Sequence, residues 1–141
     1  MQLSEQWVLV TGGARGLGQS ITRALAREGA GVVINYLHSD AAAQALAEEL
    51  GPRALALQAD VTDAAAVQRL FAQVRERTGQ PISAVVNNAL AQFRFDGDAR
   101  PQIGDITWQR FAQQLEGAVK GALNTTQAAL PAMREQGFGR I

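Results

Sequence analysis

Short apolar runs rich in β-branched residues alternate with stretches of helical spacing along most of the chain. Runs of this kind predict strands at Trp7 to Val10, Val32 to Tyr36, Ala54 to Leu57 and Ile82 to Asn87. Between them, apolar residues recur every three or four positions, as in helices that cover a sheet. This βαβαβαβ order predicts an α/β fold with a doubly wound parallel sheet and the strand order 3-2-1-4.

Glycines mark the ends of the predicted helices. Gly29, Gly51 and Gly79 follow three helical stretches, where a residue without Cβ closes a helix in the left-handed conformation. The residues expected to face the sheet are Leu17, Ile21, Ala24 and Leu25 in the first helix and Val67, Leu70, Phe71 and Val74 in the third.

A long amphipathic helix is predicted from Trp108 to Arg134, after a loop of little periodicity between Leu90 and Asp105. The residues that share its apolar face are Phe111, Leu115, Ala118, Ala122, Ala129 and Met133. Glu116 and Lys120 are expected to form an i,i+4 pair elsewhere on the helix, and Pro131 is expected to kink its last turns.

The composition excludes several classes of function. The 141 residues include 13 basic and 13 acidic ones and no basic stripe, so we expect no nucleic-acid partner. Cysteine is absent, which excludes disulfides and thiolate chemistry; we expect no metal site and a cytoplasmic location. The sequence shows no signal peptide and no apolar run of ~18 residues, so we expect no membrane partner. From the length of the chain, we expect residues 1–141 to form one domain.

A glycine-rich turn lies between the first predicted strand and the first predicted helix. Gly12 can adopt backbone angles closed to other residues, Gly16 lets the main chain approach a pyrophosphate, and Gly18 permits close packing of helix on strand. The candidate cofactor-binding residues of the turn are Gly12, Arg15, Gly16, Leu17 and Gly18. The free N–H groups at the start of the following helix favour phosphate groups, so the turn predicts a dinucleotide cofactor. The Gly-Lys-Ser/Thr sequence of a Walker loop is missing, which disfavours ATP hydrolysis. The alternative is a glycine-rich turn with a purely structural role.

Charge beside the adenosine ribose decides between NAD and NADP. An acid at the end of the second strand would accept the 2′-hydroxyl of NAD and repel the 2′-phosphate of NADP, but that place holds Asn35 and Tyr36. Arg15 is a candidate partner for the phosphate, unless it is a solvated surface arginine. We therefore expect NADP as the cofactor, with NAD less favoured. His38, the single histidine, is expected to be a solvated loop residue.

The spacing Thr-Gly-x-x-x-Gly-x-Gly resembles that of the short-chain dehydrogenase/reductase family, and two further motifs follow in the family's order. Asp60 and Val61 resemble the pair that holds the adenine ring by a carboxylate and a backbone N–H. Asn87, Asn88 and Ala89 resemble the start of the family's Asn-Asn-Ala-Gly motif, which borders the nicotinamide. The alternatives are that Asp60 only caps a turn and that Asn87 only ties strands together.

The resemblance implies a Rossmann-type domain of an enzyme that reduces a carbonyl by hydride transfer from NADPH. The 3-oxoacyl-acyl-carrier-protein reductase branch is the most similar, so the implied partner is a small-molecule carbonyl substrate or an acyl carrier. An acyl or phosphopantetheine group would suit the aromatic and basic residues of the long loop, for which surface roles are the alternative: Phe93, Arg94, Phe95 and Arg100.

The family's catalytic serine, tyrosine and lysine lie on a fifth strand and the helix after it, and the chain reaches Ile141 where that strand is expected to start. We therefore expect no catalytic residue among the 141 and interpret the chain as the cofactor-binding half of an enzyme. Ala118 replaces a proton-relay asparagine, and Leu90 replaces the glycine of the third motif. The alternatives are a non-catalytic nucleotide-binding or interaction module and an inactive truncated product. An uncovered fourth strand and an exposed apolar stripe on the long helix predict a homo-oligomer.

Overall fold

The structure, a computed structural model, describes residues 1–90 and 101–141. The described strands are β1 Trp7–Val10, β2 Gly31–Tyr36, β3 Ala54–Gln58 and β4 Ala84–Val86. The helices are α1 Gly16–Arg27, α2 Asp40–Leu50, α3 Ala64–Thr78, α4 Trp108–Leu115 and α5 Gly121–Glu135, with 3₁₀ turns at Leu3–Glu5 and Ile103–Asp105. The loop residues predicted to suit an acyl group lie outside the described residues: Phe93, Arg94, Phe95 and Arg100.

The four strands are parallel, and their order is β3-β2-β1-β4, as predicted. Side chains alternate between two cores, so that Leu9 of β1 packs on one face of the sheet and Val8 on the other. The first core includes Val74 of α3 and Met133 of α5, and the second includes Leu46 of α2. Because helices cover both faces, the strands are apolar at nearly every position, which is the Rossmann-like α/β arrangement.

The buried face of α3 agrees with the prediction, since Val67, Leu70 and Val74 are buried and Phe71 packs against the same core. Asp63 caps this helix, and Gly79 ends it with φ 72°. The glycines after α1 and α2 also have positive φ, but Gly51 has ψ −160° and so does not adopt the left-handed helical conformation expected for it.

The predicted buried face of α1 is wrong at Leu17 and Ala24, whereas Leu25 packs against the second core. Leu17 is 71 % exposed and Ala24 is exposed, while the other two residues are only partly buried: Ile21 and Leu25. The buried positions of α1 are Gly18 and Thr22 instead. Thr22 donates its hydroxyl to the carbonyls of Gly18 at 2.9 Å and Gly13 at 3.2 Å. Apolar spacing missed this face because small residues, rather than large apolar ones, bring α1 close to the glycine-rich turn.

The long helix is not one uninterrupted α-helix. A π-helical segment, Glu116–Lys120, joins α4 to α5. A π turn takes more residues than an α turn, so faces on its two sides fall out of line. The predicted common face is therefore wrong: Ala129 and Met133 are buried, but Phe111 and Leu115 are exposed.

Two other expectations for this helix can be compared with its structure. Lys120 pairs with Glu116 at 3.3 Å, as predicted. The helix α5 continues through Pro131 and ends at Glu135. The exposed apolar residues of α4, the π segment and α5 are Trp108, Phe111, Leu115, Val119 and Leu123. Exposed apolar residues are thus present on the described part of this helix, as expected, on both sides of the π segment.

The outer edge of β4 is partly paired, so the expectation of an uncovered fourth strand is wrong at this point. Arg140 lies parallel to β4: Val85 N donates to the Arg140 carbonyl at 2.9 Å, and Arg140 N donates to the Ser83 carbonyl at 3.2 Å. Residue 140 thereby occupies the position of a neighbouring strand, where the alternating pattern predicts one. Within the described residues, no helix is long and apolar enough to span a bilayer.

Candidate functional site

A cavity of ≈ 620 Å³ lies where the chain leaves the carboxyl ends of the strands. Its walls come from the turn after β1, the loops after β2 and β3, the segment after β4, and α4 with the π segment. Every residue predicted to bind the cofactor except Asn87 lines it: Gly12, Arg15, Gly16, Leu17, Gly18, Asn35, Tyr36, Asp60, Val61, Asn88 and Ala89. Ligands of open α/β sheets bind at this edge, so the fold brings the predicted residues to a favourable place.

The glycine-rich turn is tied to the end of β2. Gly12 has φ 62° and Gly16 has φ 55°, conformations that strain any residue with a Cβ. Gly12 N donates to Asn35 Oδ1 at 3.4 Å, and Gly13 N donates to the Asn35 carbonyl at 3.0 Å. These bonds fix the turn against the sheet at the cavity wall.

The helix α1 begins at the cavity without a side-chain cap. Its N-cap residue is Arg15, whose side chain makes no capping hydrogen bond. By contrast, Asp63 caps α3 by accepting from Ala65 N at 2.8 Å and Ala66 N at 3.1 Å. The first N–H groups of α1 therefore lack a capping side chain at the positive end of the helix dipole, which favours an anion.

Gly18 sets the distance between α1 and the turn. A Cβ at this position would lie 2.3 Å from the Gly12 carbonyl oxygen and 2.6 Å from Asn88 Nδ2. Both distances are far below van der Waals contact, so any larger residue would push the start of α1 away from the turn. This geometry agrees with the close packing predicted for Gly18.

Thr11 joins the glycine-rich turn to the segment after β4 and was not among the predicted site residues. Its Oγ1 accepts from Asn88 N at 2.9 Å and Ala89 N at 3.0 Å, and donates to the Val86 carbonyl at 3.3 Å. Asn88 Nδ2 in turn donates to the carbonyls of Thr11 at 3.0 Å and Gly12 at 3.3 Å. The signal in the sequence is a hydroxyl residue directly between a buried strand and the glycines.

The carboxylate of Asp60 forms a local turn and also lines the cavity. Oδ1 accepts from Thr62 N at 2.8 Å and from Thr62 Oγ1 at 2.7 Å, which is the capping arrangement foreseen as the alternative. The described residues place no hydrogen bond on Oδ2. The backbone carbonyl of Val61 accepts a hydrogen bond from Asn124 Nδ2 at 2.8 Å.

Asn87 does not line the cavity. Its Oδ1 accepts from Thr125 Oγ1 at 2.7 Å, which fastens the end of β4 to α5. The tying role foreseen as the alternative for Asn87 is thus visible, although the partner is a helix rather than a strand.

The end of β2 carries two buried polar side chains. Asn35 is 2 % exposed, and its Nδ2 donates to the Ala59 carbonyl at 2.9 Å. Tyr36 donates its hydroxyl to Asp40 Oδ1. This hydrogen bond to the Asp40 carboxylate, together with burial, raises the pKa of Tyr36 above its ordinary value of 10.0. Both side chains are thus engaged by the protein.

Further residues of the cavity were missed or underestimated from the sequence. His38 is exposed, as predicted, yet it lines the cavity together with Leu37 and Ser39. Gln113, Glu116 and Gly117 of α4 and the π segment form another wall, and Leu90, which is 52 % exposed, also lines the cavity. Helical periodicity carries no signal for this wall, because it does not show which side of α4 and the π segment borders the cavity.

The chain is similar to known proteins along nearly its whole length. A family model described as short chain dehydrogenase matches residues 6–141. Sorbitol dehydrogenase of Cereibacter sphaeroides is 40 % identical over 139 residues, which cover 99 % of this chain and 51 % of the relative. L-rhamnose 1-dehydrogenase (NAD(P)(+)) of Azotobacter vinelandii is 36 % identical over 146 residues, covering 99 % and 54 %.

A third relative represents the branch that the sequence resembles. The 3-oxoacyl-acyl-carrier-protein reductase FabG of Staphylococcus aureus strain Mu50 is 35 % identical over 137 residues, covering 94 % of this chain and 52 % of the relative. The chain therefore spans about half the length of the curated relatives it matches. With the strand order, the glycine-rich turn and a family match over residues 6–141, the chain belongs to the short-chain dehydrogenase family of oxidoreductases.

Proposed function

We propose that residues 1–141 are the dinucleotide-binding domain of an NADPH-dependent oxidoreductase that reduces a carbonyl compound. The observation that carries this proposal is the uncapped start of α1, which meets the glycine-rich turn at a cavity of ≈ 620 Å³. A helix start in this setting satisfies its free N–H groups with phosphate oxygens. Membership of an oxidoreductase family makes a dinucleotide the phosphate-bearing ligand to test.

The residues present fit such a ligand. The N–H groups of Gly16, Leu17 and Gly18 would hold the pyrophosphate, and the open space around Gly16, with nothing within 4 Å of a Cβ built there, leaves room for it. Asp60 would accept from the adenine amino group, because Thr62 already fixes Oδ1 and thereby orients the carboxylate. Bound NADPH would supply the hydride for carbonyl reduction.

The segment after β4 would border the nicotinamide. Thr11 fixes the backbone of Asn88 and Ala89 relative to the turn, so this wall and the phosphate site are held as one unit. We propose that Asn87 is a positioning residue of this wall, since its hydrogen bond with Thr125 holds the end of β4 in place.

NADP rather than NAD is the cofactor we propose. Two observations support this proposal: Arg15 lines the cavity, and β2 ends in Asn35 and Tyr36 rather than in an acid. Arginine pairs with phosphate by charge-assisted hydrogen bonds, whereas a carboxylate at that position would repel the 2′-phosphate.

The test is a calorimetric titration of the 141-residue protein with NADP⁺ and with NAD⁺. We expect NADP⁺ to bind more tightly, and Arg15→Ala to weaken NADP⁺ binding by about tenfold while leaving NAD⁺ binding nearly unchanged. Arg27→Ala is the matched control, because Arg27 is exposed on the same helix but does not line the cavity. Equal binding of both dinucleotides by the parent and by Arg15→Ala would contradict the role proposed for Arg15.

For the whole enzyme we propose a small-molecule carbonyl substrate or an acyl carrier-bound one, in a cytoplasmic homo-oligomer. The names of the relatives support both substrate classes, since one is a sorbitol dehydrogenase and another a 3-oxoacyl-acyl-carrier-protein reductase. The exposed apolar residues of α4 and α5 support association.

A non-catalytic nucleotide-binding module is the second candidate function. It is favoured by Leu90, which lines the cavity where the family motif has glycine, and by Ala118, which has no polar group for a proton relay. Sequencing of the coding region downstream of Ile141 separates the candidates: a serine followed by Tyr-x-x-x-Lys supports the enzyme, and its absence supports the module.

A further inference from the structure

The loop between β2 and α2 brings a histidine to the cavity that Arg15 also lines. The loop residues Leu37, His38 and Ser39 all contribute to the cavity wall. The loop starts close to the glycine-rich turn, because Gly13 N is bonded to the Asn35 carbonyl at 3.0 Å. Three residues of extended chain reach about 10 Å, which keeps the imidazole of His38 near the turn.

The carboxylates around this loop are engaged with other groups. Asp40, the first residue of α2, accepts from Tyr36 and from Gln44 and does not line the cavity. On the opposite walls, Asp60 is held by Thr62, and Glu116 pairs with Lys120 at 3.3 Å. Within the described part of the chain, His38 has no ion pair or hydrogen bond. Its imidazole is therefore free to meet a ligand.

The residue after His38 adds a hydroxyl to the same place. Ser39 is the N-cap residue of α2, and its side chain makes no capping hydrogen bond. Its hydroxyl and the positive end of α2 would both favour an anion beside the imidazole. Together with the guanidinium of Arg15, the wall therefore offers positive charge and donors to an anion, but no unpaired carboxylate on the loop.

We propose that His38 is a specificity-determining residue that makes the preference for a 2′-phosphorylated dinucleotide dependent on pH. The inference rests on the proposed function, because it concerns the adenosine end of the same cofactor site. A histidine side chain gains its charge between pH 5 and 8, and a phosphate monoester becomes a dianion above about pH 6. At higher pH a phosphate monoester keeps its charge, whereas histidine side chains in general lose theirs. The preference for the 2′-phosphate therefore weakens as the pH rises.

The test compares two ligands that differ in the 2′-phosphate alone: adenosine 2′,5′-bisphosphate and adenosine 5′-monophosphate. Tag-free 141-residue protein is titrated with each by calorimetry at about pH 6.5 and about pH 8.5, at constant ionic strength. We expect the ratio of the two affinities to be about twofold to fivefold higher at the lower pH, the size of an exposed ion pair. His38→Gln should remove this change, and His38→Arg should give a high ratio at both pH values.

Because the chain contains one histidine, its Cε1 proton resonance gives a second measurement. We expect this resonance to shift when the 2′,5′-bisphosphate is added and to stay in place with the 5′-monophosphate. Arg15→Ala should lower the affinity ratio at both pH values and keep its pH dependence.

The outcomes distinguish this inference from the function on which it rests. An identical pH dependence in the parent and in His38→Gln would overturn the role of His38 while leaving nucleotide binding in place. The same conclusion follows if the histidine resonance responds equally to both ligands. If the folded protein binds neither nucleotide, the proposed function and the inference are both overturned.

Discussion

Replacing Thr11 with valine tests the connection between the glycine-rich turn and the segment after β4. Thr11 is 2 % exposed, and its Oγ1 accepts the N–H groups of Asn88 and Ala89. Valine keeps the volume but has no acceptor, so two partly buried N–H groups lose their partner. At about 1–1.5 kcal/mol for each, the free energy of unfolding should fall by about 2–3 kcal/mol. Serine keeps the hydroxyl and loses one methyl group, which should cost about 1 kcal/mol.

The assay is urea unfolding monitored by tryptophan fluorescence. Trp7 reports the transition because it is buried in the first core. Thr11→Val should lower the midpoint more than Thr11→Ser, with an unchanged slope for both. NADP⁺ titrations of the two folded variants should give weaker binding for valine, since the cavity wall is no longer held to the turn. A valine variant as stable as the serine variant would refute the proposed importance of the hydroxyl.

Further predictions concern the helix start, the single tyrosine and the exposed helix surface. Gly18→Ala should lower the free energy of unfolding by about 1 kcal/mol, because overpacking of about 1–3 kcal/mol exceeds the helix propensity gained. The control is Gly104→Ala, which should change the free energy of unfolding by less than about 0.5 kcal/mol, since a Cβ there would meet no atom within 4 Å. Equal urea midpoints for the two variants would contradict this prediction. The hydrogen bond to Asp40 raises the pKa of Tyr36, so the stability it contributes is present below about pH 10 and is lost as the pH rises through the raised pKa. Ultraviolet titration should give a phenolate midpoint above 10.0 for the chain's one tyrosine and a lower one in Asp40→Asn; a midpoint at the ordinary value in the folded parent would refute it. Val119 is an apolar residue that is 61 % exposed. Light scattering of the parent should therefore show association that increases with protein concentration, and Val119→Gln should reduce it. A parent that stays monomeric at every concentration would argue against the proposed homo-oligomer.

The sheet and most of the cavity follow from local signals in the sequence. Apolar runs such as the one ending at Val10 are short and continuous because both sheet faces are covered, and right-handed crossovers then allow few strand orders. The site follows from the same logic, since the glycine-rich turn, Asp60 and Asn88 each come directly after a strand. Parallel strands bring these ends to one edge, which explains why residues far apart in sequence share a cavity.

The features that were missed depend on packing between distant segments. Leu17 has the spacing of a core residue, yet the close approach of α1 to the turn excludes it and buries Gly18 instead. Hydrophobic periodicity also assumes an unbroken α-helix, so it could not detect the π segment Glu116–Lys120 or the wall formed by Gln113. The pairing of Arg140 with β4 contradicts the predicted uncovered edge, because the sequence indicates only that a further strand starts near residue 141 and not that its first residues already pair.

The position of Asn35 has a consequence for changing the cofactor by design. An acid at the end of β2 is the substitution that would favour NAD, but the Asn35 amide donates to the Ala59 carbonyl and its oxygen faces Gly12 N. An aspartate would set a carboxylate oxygen against that carbonyl and loosen the link between two strands and the turn. Engineering of cofactor choice should therefore begin in the loop that follows the strand, where a new side chain meets solvent instead of the sheet.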